Sequence, residues 1–372
     1  LDGELVLGTR SFGLVANFHF RVAFGEREVA DTPGLTEYFF LVEFSGGAKL
    51  RAFGITFAGV SISAKLEAAG EGRVPVKVSA KASVKILFIK IKVSMSFTLG
   101  YIELPKKVYL AGNPTGDARI WAPDTANGVL VLNTGSRNSV RNIGVGEGDE
   151  LYVIEHLGSD AKGEILRVVF SGRETIYKGV KKIVAYGGEG DDHIYVKEGV
   201  TSDVEFHGGS GNDVFIYEGT GQARLYGDGG DDYMQTGVTS TAVFLYGGDG
   251  RDYMIHNGTG RAEIYGGAGT DKIYGGKADD LIYGGPGGDD IDGRGGVDVI
   301  YGEGGNDLIH WDYAELVLAT VDGGPGTDIL EIVGRKGPDD FLVTSLGGNR
   351  FKVVSRSGGS VAILRDTIPA TN

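Results

Sequence analysis

The sequence predicts an all-β protein: an N-terminal antiparallel, sandwich-like domain, then a solenoid of short strands that ends in a β cap. Two observations carry that reading. Through residues 1–120, apolar and polar side chains alternate with a period of two, the pattern of half-buried strands. From Gly187 to Glu331, a nine-residue unit with fixed glycine and aspartate positions recurs ten times, as in a stacked repeat. A third observation bounds the class: no apolar run reaches the ~18–20 residues that a bilayer-spanning helix needs.

Composition agrees. Of 372 residues, 65 are Gly, but only 9 are Pro and 41% are apolar, so the glycines punctuate an ordered chain and do not make a disordered linker. Cysteine is absent, which excludes a disulfide framework and Cys-based zinc or redox sites. The net charge of −14 is unevenly placed. Residues 1–120 carry 15 Lys and Arg against 11 Asp and Glu, whereas residues 183–331 carry 7 against 28. So acidic a half repels phosphates, which excludes nucleic acid as a partner, and its self-repulsion calls for bound cations. The chain opens at Leu1 without a basic-then-apolar leader, so it reads as a processed product or a piece of a larger protein.

Residues 1–120 hold four alternating runs. Phe12 to Phe24 is the first, and Tyr38, Phe40, Val42 and Phe44 form the second. Phe53, Ile55 and Phe57, then Val60 to Leu66, form the third. In the fourth, even positions are apolar from Val74 to Phe88 and odd positions from Ile89 to Leu99. A change of parity without a turn residue predicts a bulge or bend near Leu87–Ile89. A membrane-inserting hairpin would use the same alternation. A soluble sandwich, with Lys77, Lys81, Lys85, Lys90 and Lys92 in water, is the commoner use of such strands.

Asn113-Pro114 and Pro123 mark a boundary, and residues 121–186 read as worn coils of the solenoid. Within them, Gly144 to Tyr152 keeps only the tail of the nine-residue unit, as expected of a terminal repeat that caps a stack.

The unit is G-G-x-G-x-D-x-U-x, with U a large apolar residue. Five copies run end to end from Gly266 to His310; others begin at Gly187, Gly208, Gly227, Gly247 and Gly323. Glycine tolerates the positive φ of a tight turn, which aims carbonyl oxygens inward. Aspartate adds a hard carboxylate oxygen, and the eighth residue (Ile194, Phe215, Met234, Met254, Ile273, Ile282, Ile291, Ile300, Ile309, Leu330) faces the core. The pattern resembles the RTX, or haemolysin-type calcium-binding, repeat, over about residues 187–331. That resemblance implies a calcium-binding parallel β-roll in which two units make one coil. It also implies several Ca2+ ions held between neighbouring turns by carbonyls and by Asp192, Asp213, Asp232, Asp252, Asp271, Asp280, Asp289, Asp298, Asp307 and Asp328.

Spacing then sorts the edges. Eight of these aspartates, from Asp192 to Asp328 but without Asp280 and Asp298, follow one another at 21, 19, 20, 19, 18, 18 and 21 residues, one continuous ladder. Asp280 and Asp298 alone mark the opposite edge, whose earlier turns (beginning at Glu198, Glu218, Thr236 and Asn257) lack the aspartate and should be metal-free. The expectation is up to about seven ions on one edge and one or two on the other. Asp228, Arg294 and Glu303 in place of the second glycine, and Ala278 in place of the third, should strain their turns.

Just before the glycine pair on the aspartate-rich edge stand Tyr186, His207, Tyr226, Tyr246, Tyr265, Tyr283 and Tyr301, an outward stripe stacked rung on rung. It reads first as a stabiliser of the sheet and second as a surface for polysaccharide. The six histidines are scattered, most on outward strand positions. No zinc-protease helix motif, nucleophile elbow or phosphate loop is present, and paired acids such as Asp191-Asp192 recur with the repeat, so no enzyme is expected. Residues 311–320 interrupt the rhythm, with Trp311, Tyr313 and Leu316 to Leu318 packing as an insertion. Residues 332–372 form a β cap or the start of another module. The functional expectation is a secreted or cell-surface structural and adhesive segment that folds on calcium and takes part in self-association or a surface assembly. Alternatives are the carrier roll of a type I-secreted enzyme or toxin, and a polysaccharide-binding module.

Overall fold

The computed structural model describes the chain except for residues 1, 9–12, 30–35, 53–54, 71, 87–88, 105–108, 116–118, 120, 122–126, 142–147, 241, 313–319, 334–340, 348–349, 356–360 and 367–372. Phe12, Phe53, Phe88, Pro123, the front of the Gly144 unit, and Tyr313 with Leu316 to Leu318 therefore lie outside the described residues. The fold is all-β and divides into two compact units, Leu1–Lys107 and Val108–Asn372.

The first unit is one antiparallel sheet in sequential order: β1 (Asp2–Gly8), β2 (Gly13–Glu28), β3 (Thr36–Ala52), β4 (Ile55–Gly70), β5 (Gly72–Ile86) and β6 (Ile89–Leu104). Alternation specifies that one face is apolar but not what that face meets, and among the described residues these strands form a single layer where the sequence suggested two. The opposite face is laced by Arg21–Glu43 at 3.5 Å, Arg27–Glu37 at 3.0 Å, Lys65–Glu67 at 2.6 Å and a Ser61–Ser83 hydroxyl contact at 2.6 Å.

The bend expected at Leu87–Ile89 is a full reversal. Ile86 pairs with Ile89, Val84 with Ile91 and Ala82 with Val93, antiparallel. Directly opposed residues share a face, and across a two-residue connection an even position always meets an odd one. The parity change is thus the mark of a hairpin. Bulges do occur, at Leu50/Arg51 and Val76/Lys77.

The second unit is a solenoid of about seven turns over residues 182–331, each coil giving one strand to a 13-stranded sheet and one to an 11-stranded sheet. Neighbouring strands are parallel. In the 13-stranded sheet the register runs Ile183↔Val204, Val204↔Ala223, Ala223↔Val243, Val243↔Ala262, Ile264↔Ile282, Ile282↔Ile300 and Ile300↔Val321. These offsets repeat the aspartate spacings one for one. The eighth residues of the units fill the interior: Ile194, Phe215, Met234, Met254, Ile273, Ile282, Ile291, Ile300 and Ile309 are buried, and Leu330 is partly so.

Residues 121–186 contribute one worn coil. Val129–Leu132 pairs parallel with Lys182–Glu189, and Leu151–Ser159 pairs parallel with His193–Val196. Between them, Glu164–Phe170 and Arg173–Val180 leave the spiral as an antiparallel extension, closing the N-terminal end over Tyr152, Phe170 and Tyr177. At the other end, Phe341–Gly347, Arg350–Ser355 and Val361–Asp366 add antiparallel strands, the last of them parallel to Thr320–Gly324.

Candidate metal centre

Each nine-residue unit turns between the two sheets, and the turn geometry explains its two fixed residue types. A methyl group at Gly284 would lie 2.5 Å from Asp289 Oδ2 and 2.7 Å from the Gly302 carbonyl oxygen. Gly187, Gly208, Gly227, Gly247, Gly266, Gly302 and Gly323 are each crowded by their own unit's aspartate in the same way. The first glycine is therefore the space into which the carboxylate points.

The two oxygens of each aspartate do different work. Oδ1 accepts the backbone N–H of the preceding rung: Asp192 N donates to Asp213 at 2.7 Å, Asp213 N to Asp232 at 2.7 Å, and Asp232 N to Asp252 at 2.9 Å. The series continues through Asp271, Asp289, Asp307 and Asp328, and Glu150 N donates to Asp192 at its start. Oδ2 of Asp192, Asp213, Asp232, Asp252, Asp271, Asp289 and Asp307 is buried with no hydrogen-bond partner among the described residues. An ionised oxygen so placed is costly unless a cation meets it.

The titration behaviour says the same. Burial above all, with neighbouring carboxylates second, pushes Asp192 and Asp232 up to about 8 and Asp252 and Asp289 up to about 7. Asp213 and Asp271 rise to about 6, and Asp307 is raised too, again mainly by burial. Among the described residues, no three His, Asp or Glu side chains converge on one point. A metal here would therefore draw on one or two carboxylates and complete its shell with turn carbonyls, a hard all-oxygen set that suits calcium.

A second ladder, unforeseen in sequence, runs along the fifth position of the unit. Asp149 Oδ1 accepts from Asp191 N, Asp191 from Asn212 N, Asn212 from Asp231 N, and Asp231 from Arg251 N. It explains pairs such as Asp191-Asp192 and Asp231-Asp232: the first closes the next turn's backbone and the second faces inward. Only the preference for Asp or Asn at that position hinted at it.

On the opposite edge, the column equivalent to the first glycine is filled by side chains. Register aligns Val196, Tyr217, Thr236 and His256. The Tyr217 ring lies where a Gly219 side chain would go, and His256 crowds Gly258 and Gly276. His256 is fully buried, with its Nδ1 2.6 Å from Thr236 Oγ1 and its Nε2 2.9 Å from the Gly260 carbonyl. Burial lowers its pKa. These plugs occupy the volume that the aspartates use on the other side, so those turns present no equivalent inward carboxylate. Asp280 and Asp298 appear where the column returns to Gly275 and Gly293. Asp280 differs from the main ladder: Oδ1 accepts from Ala262 N at 2.7 Å and Oδ2 from Gly276 N at 2.6 Å. Asp298 Oδ1 accepts from Asp280 N at 2.8 Å.

Asp228, Arg294 and Glu303 hold φ of 71°, 62° and 69°, the left-handed region in which their glycine equivalents sit. The aromatic stripe is stacked as expected. His207 lies 4.4 Å from Tyr226 with ring planes 2° apart, and Tyr265–Tyr283 and Tyr283–Tyr301 stack at 4.8 and 5.1 Å. Phe244 bridges the looser middle, between Tyr226 and Tyr265.

With this geometry in hand, comparison with known families is decisive for the repeat. The RTX calcium-binding nonapeptide repeat model matches in four copies, over residues 184–203, 256–291 and 283–310. The chain carries RTX calcium-binding repeats. The structure extends the RTX ladder through residues 208–252 and on to Asp328, where the coils lengthen but the aspartate bonds persist. Comparison with curated proteins and with solved structures gave no match.

Proposed function

We propose that the chain is a secreted or cell-surface structural and adhesive segment whose solenoid folds when it meets calcium outside the cell. The observation that supports this is the row of seven buried, unpartnered Oδ2 atoms, each set against the first glycine of its unit. Asp192, Asp213, Asp232, Asp252, Asp271, Asp289 and Asp307, with the carbonyls of neighbouring turns, would hold the ions. Bound calcium would supply positive charge that offsets carboxylate repulsion and closes each turn. No catalytic role is part of this reading. The aromatic stripe favours a scaffold over sugar recognition, since its stacked rings turn their faces to one another and leave mainly edges to solvent.

Circular dichroism and calorimetry with millimolar calcium, and then with excess chelator, test the proposal. A partial loss of strand signal and a large fall in Tm on chelation are expected. Unchanged strand content and Tm would sink it.

A further inference from the structure

We propose that the apolar face of the N-terminal sheet is an interface with the same face of a second copy of this chain.

A sheet with one apolar face needs a second layer to cover it. Here Phe20, Val22, Phe24, Phe44, Met95 and Phe97 are 40–61% exposed. At about 150–200 Å² for each such side chain fully exposed, these six leave roughly 500 Å² of apolar surface open. A stable interface takes about 800 Å² from each partner. The six alone reach more than half of that, before the half-buried Val42, Leu66 and Val78 between them are counted.

Relief on the face selects the occupant. One row across the sheet reads Phe20, Phe44, Ala64, Ala80, Met95, each opposite the next in register. Along this row the large side chains of β2 and β3 stand as a ridge beside a two-alanine trough on β4 and β5, bounded on one side by Leu66 opposite Val78, and β6 rises again. A two-fold axis that seats one copy's Phe20–Phe44 ridge in the other's Ala64–Ala80 trough seats the reciprocal pair at the same time. That is the condition for a self-complementary interface. Lipid acyl chains are fluid and require no such relief. Charge agrees with the choice of face, because the other side of the sheet already pairs Arg21, Arg27 and Lys65 with Glu43, Glu37 and Glu67.

The test uses the full chain in calcium. Sedimentation at 1–100 μM should show a monomer–dimer equilibrium. Phe44→Asp should weaken the dimer at least tenfold, with strand content by circular dichroism kept as a control. Ala64→Phe with Ala80→Phe keeps the face apolar but fills the trough, and should weaken the dimer by a similar factor. Because the chain lacks cysteine, Phe44→Cys should cross-link copies through a short bis-maleimide, while Glu43→Cys, on the other face, should not. A monomer at 100 μM, a dimer indifferent to the filled trough, equal cross-linking from both positions, or a monomer that instead co-sediments with phosphatidylcholine vesicles would each overturn the proposal.

Discussion

Glu303 spends a bulky residue on a left-handed backbone position. With φ at 69° and an exposed side chain, it bears a conformational cost of about 1–2 kcal/mol that glycine avoids. Glycine's greater freedom in the unfolded chain returns part of that difference. Glu303→Gly is expected to stabilise the calcium-loaded solenoid by about 0.5–1 kcal/mol, read as a rise in Tm. Asp252 poses the opposite case. Asn at 252 keeps an acceptor for Asp232 N but removes the charge that burial and Asp271 oppose. Asp252→Asn should therefore raise Tm in chelator and lower it in calcium, by about 1–3 kcal/mol in each direction. Two melting curves with opposite shifts check it. A purely structural aspartate would move both the same way.

The aspartate ladder as a unit makes stability depend on pH. In the calcium-free fold burial raises Asp192, Asp213, Asp232, Asp252, Asp271 and Asp289 to about 6–8, while in the unfolded chain they titrate near the ordinary value of about 4. The folded form thus binds protons more tightly. Its contribution to stability is complete below about pH 4 and is lost as pH rises through 6 to 8. Melting in chelator at pH 5.5 should accordingly exceed melting at pH 8. Calcium takes the ionised form, so in millimolar calcium the order should reverse and binding near pH 7 should release protons.

Much of this ladder could be read in advance, because a parallel stack converts sequence spacing directly into register. Gaps of 21, 19, 20, 19, 18, 18 and 21 residues became the strand offsets without adjustment. The plugs were another matter. Tyr217, Thr236 and His256 obey the same period-2 rule as any inward residue, and nothing in that rule tells a core side chain from one that fills a turn. The hairpin at Ile86–Ile89 is hidden by the absence of Gly, Asn or Pro between two apolar runs, so parity is the one clue, and parity alone fits a bulge, a bend or a full reversal.

Across the chain, two compact units imply two unfolding events. The transition of residues 108–372 should move with calcium. That of residues 1–107, which carry no copy of the repeat, should stay where it is. Scanning calorimetry at several calcium concentrations resolves this, and a single transition that shifts as one would count against it.

The capped ends of the spiral also place the chain's two tryptophans. Trp121 donates to the Lys178 carbonyl and meets the Tyr177 ring edge-on at the N-terminal closure, while Trp311 is buried on the strand Leu308–Asp312 near the far end. With tyrosines stacked along the coils between them, each indole is a built-in fluorophore for one end. Trp121→Phe and Trp311→Phe variants would then show, by emission colour and without any added label, which end of the spiral lets water in first.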